Sequence, residues 1–210
     1  MRSSGVPHPA GYEDLKDKAD VERALVELGR EHPGLSRAVV KLNDSFSGEG
    51  NAVLRFPDSV TRESVHDAMD GLELAVASES HEAYFRKFER MGGVVEAFID
   101  APHKLSPSAQ LRTTPHGEVV ATSTHDQILG GPSGQVYQGC SFPAHEDYRM
   151  AIQHRSILIG QVLAKQEVVS RFGVDFLAYK DAPEDKWKLT APCAASTRPM
   201  AVPASWMARR

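Results

Sequence analysis

"VVKLNDSFSGEGNAVL", residues 39–54, decides how the rest of the chain is read. An apolar run ends on Lys41, a polar stretch carries Gly48 and Gly50, and apolar residues then return. The flanks "RAVVKL" and "NAVLRF" are short and rich in strand formers, so the glycine-rich segment between them predicts a hairpin with a long tip. A Walker A loop is excluded, because its lysine follows the second glycine at the start of a helix, where helix amides and ammonium meet the phosphates together. Here Lys41 precedes the glycines and a strand follows them. A dinucleotide fingerprint fails as well, since no helix opens in G-x-G-x-x-G after the strand. Two readings stay open. A strand lysine under a glycine tip supplies a point charge for polyphosphate oxygens, while Gly48 and Gly50 let backbone amides approach. The other reading is a plain surface hairpin with an exposed lysine.

On the N-terminal side, Val21, Ala24, Leu25 and Leu28 recur at helical spacing behind Asp20, taken as the N-cap, and the pattern stops at "EHPG". Beyond the hairpin the spacing predicts a second helix over about 59–72 and a third over about 80–91. In the third, Tyr84, Phe88 and Met91 share a face and Gly92-Gly93 provide the stop. "GVVEAFI" reads as a buried strand, and "AQLRTT" with "VVATSTHDQIL" as an antiparallel pair bent at "PHGE". "GGPSGQVYQGCSFP" reads as loop. A longer helix is predicted over about 144–170, with Tyr148, Ile152, Ile159 and Leu163 on one stripe and Gly160 as an interruption. "GVDFLAYK" and "KWKLTA" then read as strands joined by the charged turn "DAPED". Residues 191–210 differ in kind, with six alanines, three prolines and no acidic residue, and they predict neither strand nor helix.

Composition sets the class. At 210 residues, 41% hydrophobic and 25% charged, the chain can bury a real core in one domain or two small subdomains. A net charge of -4 excludes a dedicated nucleic-acid binder, whose footprint is basic. No stretch approaches the roughly 18 apolar residues of a membrane helix, and the first residues lack the apolar core of a signal sequence. Cys140 and Cys193 stand far apart without metal spacing, in keeping with two unreactive thiols in a reducing, cytoplasmic setting. The nine histidines show no H-E-x-x-H spacing. A serine hydrolase using Ser123 or Ser133 with His125 is disfavoured without a G-x-S-x-G, and His125 with Asp126 is a poor dyad because neighbouring strand residues point to opposite faces.

Taken together, "VVKLNDSFSGEGNAV", "GVVEAFI", "LSPSAQLRTTPHGEVVATSTHDQILGG" and "RFGVDFLAY" resemble the ATP-grasp carboxylate–amine ligases, and more narrowly the pheganomycin-type peptide ligases, over roughly residues 5–190. The resemblance implies an α+β ATP-grasp fold, with a lid subdomain over 1–93, a second subdomain with antiparallel strands over 94–190 and an atypical tail over 191–210. It implies ATP and Mg as cofactors and small carboxylate, amine or peptide substrates. By the same resemblance Lys41 contacts ATP phosphates, Ser47, Gly48, Glu49 and Gly50 form the lid tip, and Glu96, Ala97 and Ile99 line adenine, mainly through backbone groups. Asp175 becomes a Mg ligand, as a hard cation bridging phosphates needs carboxylate oxygen. Arg112 is placed under the triphosphate or acyl phosphate, where a guanidinium holds anionic oxygens, with a surface arginine as the alternative reading.

Three departures from the family are expected. The lysine-bearing domain that precedes the lid in resembling enzymes has no counterpart in residues 1–4. His103 stands near the position where relatives often carry a ribose-binding acid. The Glu-x-Asn that follows the metal strand also has no counterpart, since no Asn occurs after Asn51 and no Asp or Glu after Asp185. The chain therefore looks truncated at both ends. A ligase acting through an acyl phosphate, its missing groups supplied by a homo-oligomer or companion domain, stands beside a nucleotide-binding remnant or scaffold without turnover.

Overall fold

The computed structural model describes residues 4–44, 48–130 and 136–192. Two antiparallel sheets, each packed on helices over its own core, give an α+β fold.

The first unit contains β1 (Gly11–Leu15), α1 (Lys18–Glu31), β2 (Arg37–Leu42), β3 (Asn51–Arg55), α2 (Arg62–Met69), β4 (Glu73–Leu74), α3 (His81–Met91) and β5 (Gly93–Ala97). Its strands lie in the order β1-β5-β2-β3-β4. The expected hairpin forms, in a register running from Arg37 opposite Arg55 to Lys41 opposite Asn51. Alternation then sorts the side chains. Ala38, Val40, Leu42, Ala52, Leu54 and Val95 face the core with Leu25 of α1, Val65 of α2 and Phe88 of α3. Val39, Lys41, Val94 and Glu96 fall on the opposite face, which carries no helix.

Caps place the helix ends. The N-cap of α1 is Asp17, whose carboxylate accepts from the Asp20 amide, so the expected cap at Asp20 is corrected by one turn. The sequence pattern fits both acids, and only Asp17 has the extended backbone a cap needs. The second helix is shorter than expected because Thr61 and Ser64 close a capping box at its start. Ser80 caps α3, and Gly92 ends it at φ 69, a conformation that costs glycine least. The sequence reading missed β1 and β4, and β5 is an inner strand of this first sheet. The expected boundary between residues 93 and 94 cuts β5 after its first residue, and the chain passes between the sheets over 98–102.

The second unit contains β6 (His103–Thr113), β7 (Val119–Gly130), β8 (Val136–Ser141), α4 (Glu146–Lys165), β9 (Arg171–Asp175), β10 (Leu177–Lys180) and β11 (Lys188–Thr190). Long β6 is the axis, with β7 on one edge and both β9 and β10 along the other. The expected single strand "GVDFLAYK" is divided at Phe176, opposite Pro107. Phe176 N–H donates to Pro107 O at 2.8 Å, but proline has no N–H to return, so the ladder lapses there and resumes in the same register. β8 corrects the expected loop over "VYQGCS", where pairing with β7 overrides a weak local pattern. The expected helix over 144–170 stops at Lys165. Tyr148, Ile152 and Ile159 of α4 pack on Ala109, Leu111, Phe172, Val174 and Phe176. Gly160 is needed for that contact, as a Cβ there would lie 2.5 Å from Val119 Cγ1.

The N-terminal segment ties the units together: Val6 is buried in the second core, and Pro7 O accepts from Ala191 N–H and Thr190 Oγ1 before β1 enters the first sheet. Among the described residues no helix is long and apolar enough to cross a membrane.

Candidate functional site

Register brings together the two charged residues that the sequence set 55 positions apart. Val39 lies opposite Glu96 and Lys41 opposite Val94, so Lys41 and Glu96 are diagonal neighbours on the helix-free face. Lys41 Nζ lies 2.7 Å from Glu96 Oε2, and the two side chains are only 14% and 3% exposed. Taking two charges this far from water is costly unless they meet, and truncating one partner of such a pair typically costs about 3–5 kcal/mol. The open reading of Lys41 as an exposed surface lysine is thereby overturned.

Above this pair, the hairpin root is pinned from below. Tyr84 of α3 is fully buried with its hydroxyl 3.1 Å from both Val40 O and Gly50 O, and burial raises its pKa well above the usual tyrosine range. At the tip Asn51 N–H donates to Gly48 O, Gly48 has φ 80 and Glu49 is exposed. Ser47 lies outside the described residues. An open depression of about 660 Å³ at the hairpin root is lined by Leu42, Asp44, Glu49, Gly50 and α3 residues such as Lys87. Lys41, Glu96 and Asp175 take no part in it, so it is a feature of the α3 side.

The link between the sheets carries a second cluster. Phe98 lies under two cations, with Arg37 Cζ 4.0 Å and Lys104 Nζ 4.6 Å from its ring centre. Arg37 also pairs with Asp100 at 2.7 Å, and Lys104 Nζ donates to Ile99 O at 3.2 Å. Ala97 N–H is used within the fold, donating to Ala10 O at 2.8 Å. Sequence reasoning missed Arg37 and Lys104, because cation–aromatic stacking across a link leaves no periodic signal.

On the second sheet Asp175, Ser108 and His125 are paired across β9, β6 and β7, on the face turned away from α4. Asp175 Oδ1 accepts from Gln127 Nε2 at 2.9 Å. Gln127 was not singled out in the sequence, and only the β6–β7 register reveals it. Arg112 shares this face, opposite Arg171, four residues or about 13 Å along β6 from Ser108. It is exposed and does not converge with Asp175. Asp126 points the other way, accepting from Tyr148 Oη at 2.6 Å and from His145 N–H at 2.8 Å, so the expected failure of a His125–Asp126 dyad is met.

The metal donor set is thin. No group of three or more His, Cys, Asp or Glu converges among the described residues. The pairing of β11 with β10 ends at Thr190 opposite Leu177, and Ala191 N–H turns to Pro7 O. Asp175 fits one magnesium ion that brings phosphate and water oxygens with it, but these residues do not fit a pair of ions.

A family model described as IQCH-like, ATP-grasp matches residues 75–192, more than half of the chain. This chain belongs to the IQCH-like ATP-grasp family. Over 96 residues it is 35% identical to an L-propargylglycine--L-glutamate ligase of Streptantibioticus cattleyicolor, covering 46% of this chain and 19% of that protein. Over 98 residues it is 26% identical to IQ motif-containing protein H of Danio rerio, covering 47% of this chain and 9% of that protein. Among solved structures it superposes on biotin carboxylase of Campylobacter jejuni, a β,γ-ATP complex, with a TM-score of 0.62 at 15% identity, over 91% of this chain and 37% of that one. An ADP complex of purK, N5-carboxyaminoimidazole ribonucleotide synthetase, gives 0.55 at 14% identity, over 90% and 40%. These likenesses establish the ATP-grasp fold, and the chain spans about a fifth or less of the curated relatives' length.

Proposed function

We propose that this ATP-grasp chain binds ATP between the helix-free faces of its two sheets and serves carboxylate–amine ligation. The observation that carries the reading is the buried Lys41, held at 2.7 Å from Glu96 beneath a glycine hairpin. A lysine so placed has no packing role that a methionine would not fill, and its stem sets an ammonium where anionic phosphate oxygens can reach it. The tip residues Ser47, Gly48, Glu49 and Gly50 close over the phosphates. Glu96, Ala97 and Ile99 border the adenine, with Ile99 O keeping one lone pair beyond its bond to Lys104. Asp175 holds the nucleotide's magnesium, which when bound neutralises phosphate charge, and Gln127 keeps that carboxylate oriented. Arg112, exposed and about 13 Å along β6 from the level of Asp175, stays outside this group.

In the reaction class the substrate carboxylate oxygen bonds to the terminal phosphorus as ADP leaves, giving an acyl phosphate. An amine nitrogen then bonds to the acyl carbon, and phosphate leaves with the carbonyl oxygen retained, giving an amide. The protein contributes positioning and charge and no covalent nucleophile. A homo-oligomer or companion domain supplies substrate contacts that these residues lack. The lack of a converging group of three or more metal ligands among the described residues favours a second reading, in which the chain holds nucleotide without turnover. Titration calorimetry with ADP tests the first step, and amine-dependent ADP release with Mg separates the two readings. Absence of measurable ADP binding contradicts both.

A further inference from the structure

The Lys41–Glu96 pair leads beyond nucleotide binding to the way its strength is set. We infer that the Glu96 carboxylate is a positioning residue and counter-ion for Lys41: it holds the ammonium in place and reduces its pull on polyphosphate, so that affinity rests on the pair's balance of charge. This rests on the proposed phosphate role of Lys41.

Three features carry it. The sheet register fixes both residues on one face, and at 2.7 Å Glu96 is within direct hydrogen-bond reach of the ammonium. Glu96 is 3% exposed, so water screens its charge little, whereas the salt bridges at Arg55–Glu73 and Lys188–Asp181 have both partners more than half exposed. Finally, Glu96 is an inner-strand residue among Val94, Val95 and Ala97, where an apolar side chain would pack and a carboxylate is costly without a purpose. A phosphate arriving at Lys41 therefore meets a compensated cation. It gains the ammonium's attraction less the repulsion of a carboxylate a few ångströms farther off, while a ligand without phosphate meets neither.

Affinities for ADP and adenosine, measured by titration calorimetry, isolate the effect. Glu96→Gln keeps the hydrogen-bond acceptor and removes the charge. It is expected to raise the ratio of ADP to adenosine affinity on the order of tenfold, since residue 96 borders the adenine of both ligands and only ADP carries phosphate. Lys41→Met removes the ammonium beside that carboxylate and should weaken ADP by roughly a hundredfold, and adding Glu96→Gln to it should recover at least about tenfold. The double variant removes both charges of the pair and is the one to measure where a single variant fails to fold. A merely structural Glu96 gives an unchanged ADP-to-adenosine ratio in Glu96→Gln and no recovery in the double variant, and either result overturns the inference. Wild-type protein that binds neither ligand removes the functional reading and the inference with it, whereas wild-type binding without recovery removes the inference alone.

Discussion

The two sheets present their helix-free faces differently. The first sets a buried, complementary ion pair at the root of a glycine hairpin. The second offers a single carboxylate steadied by a neutral amide. Both faces lie on well-packed sheets with comparable cores, so the contrast is not one of a folded and an unfolded half. It lies in the chemistry placed on equal scaffolds. On the proposed nucleotide side the described residues bring an ion pair together, whereas on the proposed metal side they bring one carboxylate.

The equality of the scaffolds is the easiest part to break. Phe88→Ala in the first core and Phe176→Ala in the second, both fully buried, should each destabilise by about 3–5 kcal/mol in urea denaturation. A much smaller cost at Phe176 would show that the second sheet is the looser half. The ion pair comes next: Lys41→Met should cost about 3 kcal/mol through loss of the ammonium at 2.7 Å from Glu96, while Asp175→Asn, which keeps an acceptor for Gln127, should stay within about 1 kcal/mol. Comparable costs for the two would erase the contrast.

The units differ also in what the sequence disclosed. The β2–β3 hairpin, α3 and the α4 stripe were legible because apolar spacing and glycine stops are local signals. β1, β4 and β8 were not: "GYEDL" carries two acids and "VYQGCS" no regular alternation, so each becomes a strand only through its partner. The site follows the same rule. Lys41 stood out beside its glycines, and Glu96 as the one charge in an apolar run, but their contact depends on the β2–β5 register. Gln127, Arg37 and Lys104 gave no signal, since polar residues on strands or links are common and only proximity gives them a role.

Smaller effects sharpen the picture at the helices. Tyr148→Phe removes the donor to Asp126 and should cost about 1–2 kcal/mol. Burial, with the Asp126 hydrogen bond, raises the Tyr148 pKa far above the usual range, so ultraviolet titration should find this phenol un-ionised while exposed tyrosines titrate. Glu22, hydrogen-bonded to His66 and Arg62, has its pKa lowered from the ordinary 4.5. A depressed folded-state value means that its stabilisation is present above that ordinary value and is lost as pH falls through the folded one. Glu22→Gln should therefore cost at most about 1 kcal/mol at pH 7, given its exposed partners, and nothing in strong acid.

The most direct test of the contrast is the affinity of wild-type protein for ADP, by titration calorimetry in EDTA and again with magnesium. A furnished nucleotide side with a single metal carboxylate predicts binding in both, strengthened by magnesium less than about tenfold. Binding that disappears in EDTA, or that is absent in both, would contradict it.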